Sequence, residues 1–259
     1  MEDILSFTIS LALQAGELLI SHYHIDKNTR LKADHSLVTD ADLNADRLIT
    51  RTIQEAFPDD LLVSEELNTC LEAPSPQGLW VVDPLDGTTN FSLGLPFWGV
   101  SIARLVDGFP DLAVLYFPLI EELFVAKRGQ GAMLNGAPLA VQPPDPEKPW
   151  SFFSCCSRTY RDYAVSIKYK PRILGSAAYS ICSVASGLAL ISFESTPKIW
   201  DIAAAWLVVQ ESGGFIQTHD GSQPFPVQTQ RDYSKTNFPT LAAATPELLQ
   251  KAGEKIVKK

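Results

Sequence analysis

The sequence predicts a layered protein of helices and sheets, α+β in its first half and α/β in its second, and three observations predict it. Two helical periodicities open the chain. A run of β-rich segments joined by turn dipeptides follows them, and beyond a proline-dense stretch short apolar strands alternate with helical stretches.

In order, apolar residues at 4, 7, 11, 15, 18 and 19 make a helical stripe from Ile4 to Ile20, and Leu5, Ile9 and Leu13 widen it, so this helix is expected to be covered on more than one side. His22-Tyr23-His24 reads as its end, because two histidines at i, i+2 splay apart on a helix. Thr39-Asp40-Ala41-Asp42 has the form of a capping box, with Thr39 as N-cap and Asp42 at N3. It opens a helix striped by Ala45, Leu48, Ile49, Ile53 and Ala56, which Pro58-Asp59-Asp60 ends. Capping alone would account for Asp42, since acids in a first turn also answer the helix dipole. Leu61-Leu62-Val63 is a short buried strand that runs out into Ser64-Glu65-Glu66.

The same arrangement recurs at Trp80-Val81-Val82, where Asp83 comes at the carboxyl end of an apolar strand. Pro84 has no N–H to give a ladder, so the chain is expected to leave the sheet there, and Asp86-Gly87 reads as a turn followed by hydroxyls. Two carboxylates held close raise each other's pKa unless something positive lies between them. A bound cation explains such a bend, and so, on these two acids alone, does an ordinary polar turn.

Phe97 to Leu105, Leu112 to Phe117 and Leu123 to Ala126 then read as strands of a mostly antiparallel sheet, with Asp107-Gly108 and Asn135-Gly136 as hairpin turns. Four prolines between Gln142 and Pro149 mark a boundary between a first domain, 1–145, and a second, 146–259. Beyond it strands at Ser151 to Cys155, Arg172 to Leu174, Leu188 to Phe193, Phe215 to Gln217 and Leu241 to Ala244 alternate with helices. Gly175-Ser176-Ala177 opens one helix with small residues, which let backbone N–H groups approach an anion or simply make a strand-to-helix turn. The helix from Asp201 to Glu211 is apolar almost all round and so is buried, and Gly213-Gly214 stops it. Capping rarely requires a site as buried and aromatic-flanked as Trp200-Asp201. Thr245-Pro246 starts the last helix as N-cap and N1.

The bulk properties narrow the function. With 259 residues and 46% hydrophobic content the chain can bury a real core. A net charge of −9 argues against a nucleic-acid partner held through phosphates. Cys70, Cys155, Cys156 and Cys182 lack paired metal spacing and read as buried thiols. No uninterrupted apolar run of about 18 residues exists, and Met1-Glu2-Asp3 lacks the basic start of a signal peptide, so a cytoplasmic protein without membrane attachment is expected.

Asp83-Pro84-Leu85-Asp86-Gly87-Thr88-Thr89-Asn90-Phe91 and Trp200-Asp201-Ile202-Ala203-Ala204, with Ser64-Glu65-Glu66 upstream, resemble the inositol monophosphatase family, magnesium-dependent and lithium-sensitive phosphomonoesterases. The likeness runs from the first helix to the last. It implies a layered α-β-α-β-α sandwich of the sugar-phosphatase type, a small phosphorylated polyol or sugar as substrate, and a homodimer. It implies a first metal on Glu65, Asp83 and the carbonyl of Leu85, and a second on Asp83, Asp86 and Asp201. It further implies that Thr88, bonded to Asp42, orients the attacking water with Glu65 as a second acceptor. Substrate contacts are implied for Asp86, Gly87, Thr88, Gly175, Ser176 and Ala177, and for Glu194 at a sugar hydroxyl. Lys32 corresponds loosely, the chain being one residue shorter between Lys32 and Thr39.

The chemistry agrees. Four converging carboxylates and a phosphate dianion cannot coexist without two or three divalent cations. An all-oxygen donor set favours Mg²⁺ or Mn²⁺ over Zn²⁺. Departures from the family pattern concern specificity: Ser176 replaces the commoner threonine, Ala205 and Ser212 replace small residues usual in the second signature, and Phe225 to Phe238 is longer. Threonine at 89 argues against nucleotide-phosphatase and histidinol-phosphatase relatives, which carry lysine there. Fructose-1,6-bisphosphate stays open, since some relatives accept both it and inositol phosphates. A different class of function is a regulatory binding protein that keeps the fold, as one bacterial relative associates with RNA polymerase. A non-catalytic anion-binding domain would have no need of buried, clustered acids.

Overall fold

The computed structural model describes residues 3–23, 30–31, 37–71, 78–145 and 151–259; His24, Lys32 and positions 146–149 of the proline-dense boundary lie outside them. Helices α1 (Ile4–Tyr23) and α2 (Asp40–Ala56) cover one face of a seven-stranded sheet. Its strands are β1 (Leu61–Ser64), β2 (Leu79–Asp86), β3 (Gly99–Val106), β4 (Phe109–Phe117), β5 (Glu122–Lys127), β6 (Gly131–Leu134) and β7 (Ala137–Leu139), in the spatial order β7-β6-β5-β4-β3-β2-β1. Only β1 and β2 pair in parallel. A six-residue helix, α3 (Thr88–Leu93), follows β2. The turns at Asp107-Gly108 and Asn135-Gly136 have φ values of 54° and 78°, then 51° and 78°, the paired left-handed conformation that closes a tight hairpin.

The second sheet contains β8 (Phe152–Cys155), β9 (Pro171–Arg172), β10 (Ala189–Glu194), β11 (Phe215–Thr218) and β12 (Thr240–Ala243), in the order β9-β8-β10-β12-β11. Helices α4 (Ala177–Ala185) and α5 (Ile199–Glu211) lie between the two sheets, and α6 (Pro246–Lys255) covers the outer face of the second. Three apolar clusters fill the gaps, one under α1 and α2, one around α4 and α5, and one under α6. The result is the α-β-α-β-α sandwich.

Each buried helix face follows from its sequence. In α1 the buried positions are Thr8, Leu11, Ala12, Ala15, Gly16 and Leu19, with Ile4, Leu5, Phe7 and Ile9 packed partly against the same core. This helix is long and apolar enough to cross a membrane by length and composition, yet one face is spent on α2 and the sheet. In α2 the buried stripe is Ala41, Asp42, Ala45, Asp46, Ile49, Thr50 and Ile53, whereas Leu48 is half-buried and Ala56 exposed. Helix α5 begins at Ile199, two residues before the start expected, because Lys198 is the N-cap and Asp201 lies inside the first turn.

Strand β2 departs from expectation at Pro84, where it bulges instead of ending. Asp83 pairs with Ser101 and Asp86 with Gly99, so two residues of β2 stand opposite the single Val100. An irregular step needs no N–H from proline, which is why Pro84 is tolerated there. The bulge has a further consequence: residues three apart on a regular strand face opposite sides, and the extra residue brings both acids to one side.

Candidate active site

Parallel pairing of β1 and β2 sets their carboxyl ends side by side, with Ser64 opposite Val82 and the Glu65 N–H bonded to Val82 O at 3.2 Å. Glu65 and Asp83 therefore emerge together. The bulge adds Asp86, and the first turn of α5 supplies Asp201 from between the sheets. One carboxylate oxygen each from Asp83, Asp86 and Asp201 lies within 4.8 Å of the other two, and Glu65 lines the same cleft. Asp83 is 1% exposed and fixes its own bend, Oδ1 accepting from Leu85 N at 3.0 Å.

Asp86 latches the first sheet to α4. Its carboxylate accepts from Ala177 N and Ala178 N, both at 3.0 Å, and from the Ser176 hydroxyl, while Ser176 Oγ caps the helix by accepting from Tyr179 N. The anion at this helix start is thus a side chain of the protein. Asn90 makes a second latch: its Nδ2 donates to Phe97 O at 2.6 Å and to Leu174 O at 2.7 Å. Gly175 packs against that amide at φ 80°, and a Cβ there would meet Asn90 Oδ1 at 2.5 Å, so only glycine fits. Asn90→Ala strands two carbonyls and is expected to cost about 2–3 kcal/mol. Thermal denaturation checks this, with a melting point lowered by roughly 5–10 °C.

Thr88 Oγ1 lies 3.0 Å from Asp42 Oδ1 and 3.1 Å from Leu85 O. The other oxygen of Asp42 receives the Thr39 N–H at 2.7 Å and the Thr39 hydroxyl, so one carboxylate is both helix cap and partner of Thr88. Asp201 Oδ2 accepts from Lys198 N at 2.6 Å. Glu194, 4% exposed, closes β10 and borders the cleft with Gly87, Gly175, Ser176 and Ala177.

The electrostatics ask for a cation. Burial first, and then repulsion from Glu65, Asp86 and Asp201, holds the Asp83 carboxyl well above its ordinary range. Burial pushes Asp86 up to about 6 against the pull of its Ser176, Ala177 and Ala178 donors. Asp201 rises to about 8 through burial, then the charges of Asp86 and Glu65. Burial also raises Asp42 and Glu194. Without a cation, retained protons relieve that crowding at neutral pH. A hard divalent ion, bound by oxygens alone, fits the same donors and neutralises them together.

The cleft has a volume of about 610 Å³. It is lined also by Leu37, Leu95, Ile173, Cys156, Arg158 and Thr196, none of which sequence reasoning placed here. The latch of Asn90 and the place of Asp46 were missed as well. Asp46 was open to discovery, because an acid four residues beyond Asp42 shares its helix face with Ile49 and Ile53.

A five-layered α/β protein whose central cleft gathers carboxylates from two strand ends and a helix start is a recognisable class. Within it, the chain belongs to the inositol monophosphatase family, whose sequence model matches residues 1–258. It is 35% identical over 242 residues to the Nus factor SuhB of Pasteurella multocida, spanning 87% of this chain and 88% of that protein. It is 31% identical over 235 residues to the inositol monophosphatase of Mesembryanthemum crystallinum, spanning 83% and 85%. Among solved structures, Thermotoga maritima IMPase superposes with a TM-score of 0.79 at 28% identity, over 96% of this chain and 95% of that one.

Proposed function

We propose that the protein is a Mg²⁺-dependent phosphomonoesterase acting on myo-inositol monophosphate or a similar small polyol phosphate. The observation that carries this reading is the meeting of Asp83, Asp86 and Asp201 beside the Thr88–Asp42 pair in one cleft. Glu65, Asp83 and Leu85 O would hold one ion, and Asp83, Asp86 and Asp201 a second, with Mn²⁺ as a substitute and a third Mg²⁺ compatible with the charge. Bound ions supply Lewis acidity, lowering the pKa of a water and neutralising phosphoryl and leaving-group oxygens.

The chain's own groups do the rest. The Thr88 hydroxyl donates its hydrogen bond to Asp42, which leaves the Oγ1 lone pairs to accept from a water and aim it. Burial makes Asp42 a better proton acceptor than an ordinary carboxylate, and Glu65 is a second acceptor across the cleft. Asp86, Gly87 and the Gly175-Ser176-Ala177 turn line the wall where the substrate docks, and Glu194 takes a ring hydroxyl. Family membership supports lithium sensitivity, a homodimer and a cytoplasmic setting as parts of the same reading.

Phosphate release in millimolar Mg²⁺ tests it on inositol-1-phosphate, fructose-1,6-bisphosphate, histidinol phosphate and 3′-phosphoadenosine 5′-phosphate. Inositol phosphate is expected to turn over fastest; no release from any of the four contradicts the proposal. The second reading, a regulatory binding role, is favoured by likeness to a relative named a Nus factor. A cellular phenotype that survives Asp83→Asn would support that role.

A further inference from the structure

Glu65 sits in a turn whose backbone is tied on both sides. Its own N–H is bonded to Val82 O of β2 at 3.2 Å, and the next two N–H groups, of Glu66 and Leu67, both donate to Asp46 Oδ2 at 3.1 Å. Asp46 reaches the turn from α2, 20 residues earlier in the chain, and is 0% exposed. Its other oxygen, Oδ1, is buried without a hydrogen-bond partner among the described residues. An acid in that position adds negative charge beside a cleft already crowded with it. What it contributes is a fixed acceptor for two N–H groups of a turn whose far side Ser64 Oγ also ties, accepting from Leu67 N at 3.4 Å and from Asn68 N at 3.2 Å; the Glu66 N–H, next to Glu65, donates to Asp46.

We infer that Asp46 is a positioning residue, which holds the Ser64–Leu67 turn so that the Glu65 carboxylate faces the cleft. The inference rests on the functional reading above, in which Glu65 binds metal. Asp42 and Asp46 are one helical turn apart, so a single rigid helix orients both Thr88 and Glu65. Groups that orient a ligand without touching the ion alter metal affinity about 10–100-fold.

The test is a Mg²⁺ titration of phosphate release in Asp46→Ala and Asp46→Asn. The alanine variant is expected to need about tenfold more Mg²⁺ for half-maximal rate, with the substrate KM at saturating Mg²⁺ changed by less than about twofold. The asparagine variant keeps an oxygen for both N–H groups and is expected to titrate within about twofold of wild type. Wild-type behaviour in the alanine variant, or equal loss in both, overturns the inference, the second outcome because it would assign the role to charge. Asp46→Ser, too short to reach the turn, replaces the alanine variant if that protein does not fold. Should the wild type hydrolyse nothing, the functional reading fails, and amide exchange decides the positioning claim separately. The Glu66 amide is then expected to be protected in wild type and Asp46→Asn and fast in Asp46→Ala, and equal protection overturns it.

Discussion

Asp83→Asn is expected to lower Mg²⁺-dependent phosphate release by roughly a thousandfold or more, in a protein that still folds. The asparagine oxygen can accept the Leu85 N–H as Asp83 Oδ1 does, so the bend after β2 survives. The lost charge is the one at the centre of the cluster, where the carboxylates of Asp86 and Asp201 converge on it. Ions held through Asp83 as proposed would lose a common ligand, and about 4 kcal/mol less transition-state stabilisation corresponds to the expected thousandfold. Stability without metal should be unchanged or higher, because one of several repelling groups is gone. Phosphate release and thermal melting in EDTA check both halves. Activity within tenfold of wild type would remove Asp83 from the chemistry.

Metal removal is expected to make stability fall as pH rises, the reverse of what paired surface acids produce. Asp83, Asp86 and Asp201 have folded-state pKa values above those of the unfolded chain, with Asp86 at about 6 and Asp201 at about 8. Between pH 4 and 8 the metal-free native state therefore holds more protons than the unfolded state, and the slope of unfolding free energy with pH is negative. A shift of about two units at Asp86 alone is worth roughly 3 kcal/mol by pH 8. About half of that is lost between pH 5 and pH 8, so Asp86 alone corresponds to a melting point in EDTA lower by roughly 3–6 °C at pH 8 than at pH 5, and Asp201 adds to the difference. Mg²⁺ held as proposed would bind the deprotonated acids, so the stabilisation it gives should grow over the same range. Equal melting points at both pH values in EDTA would mean that the acids are not crowded in solution.

Much of the architecture was legible because local chemistry and tertiary packing agree. The Thr39 capping box, the glycine turns at 108 and 136 and the Thr245-Pro246 helix start are each decided within four residues. The clustering of acids at β1 and β2 was legible as two apolar strands ending alike. The bulge at Pro84 was not, because proline in a strand ordinarily signals exit, and only the partner strand shows that Val100 stands opposite two residues. Helix α3 is too short for a periodicity. Asn90 escaped for another reason: its partner Leu174 lies 84 residues away, and a side chain's choice of a distant carbonyl leaves no spacing to read, whereas the place of Asp46 on the buried face of α2 was readable and only its partners, 20 residues on, were not. Asp42 showed that cap and site partner are not alternatives, since its two oxygens serve both.

The most direct measurement is an anomalous-scattering map from crystals soaked in Mn²⁺. Peaks are expected within bonding distance of Asp83, one flanked by Asp86 and Asp201 and another by Glu65 and Leu85 O. Manganese bound elsewhere on the protein, with no peak among these oxygens, would contradict it.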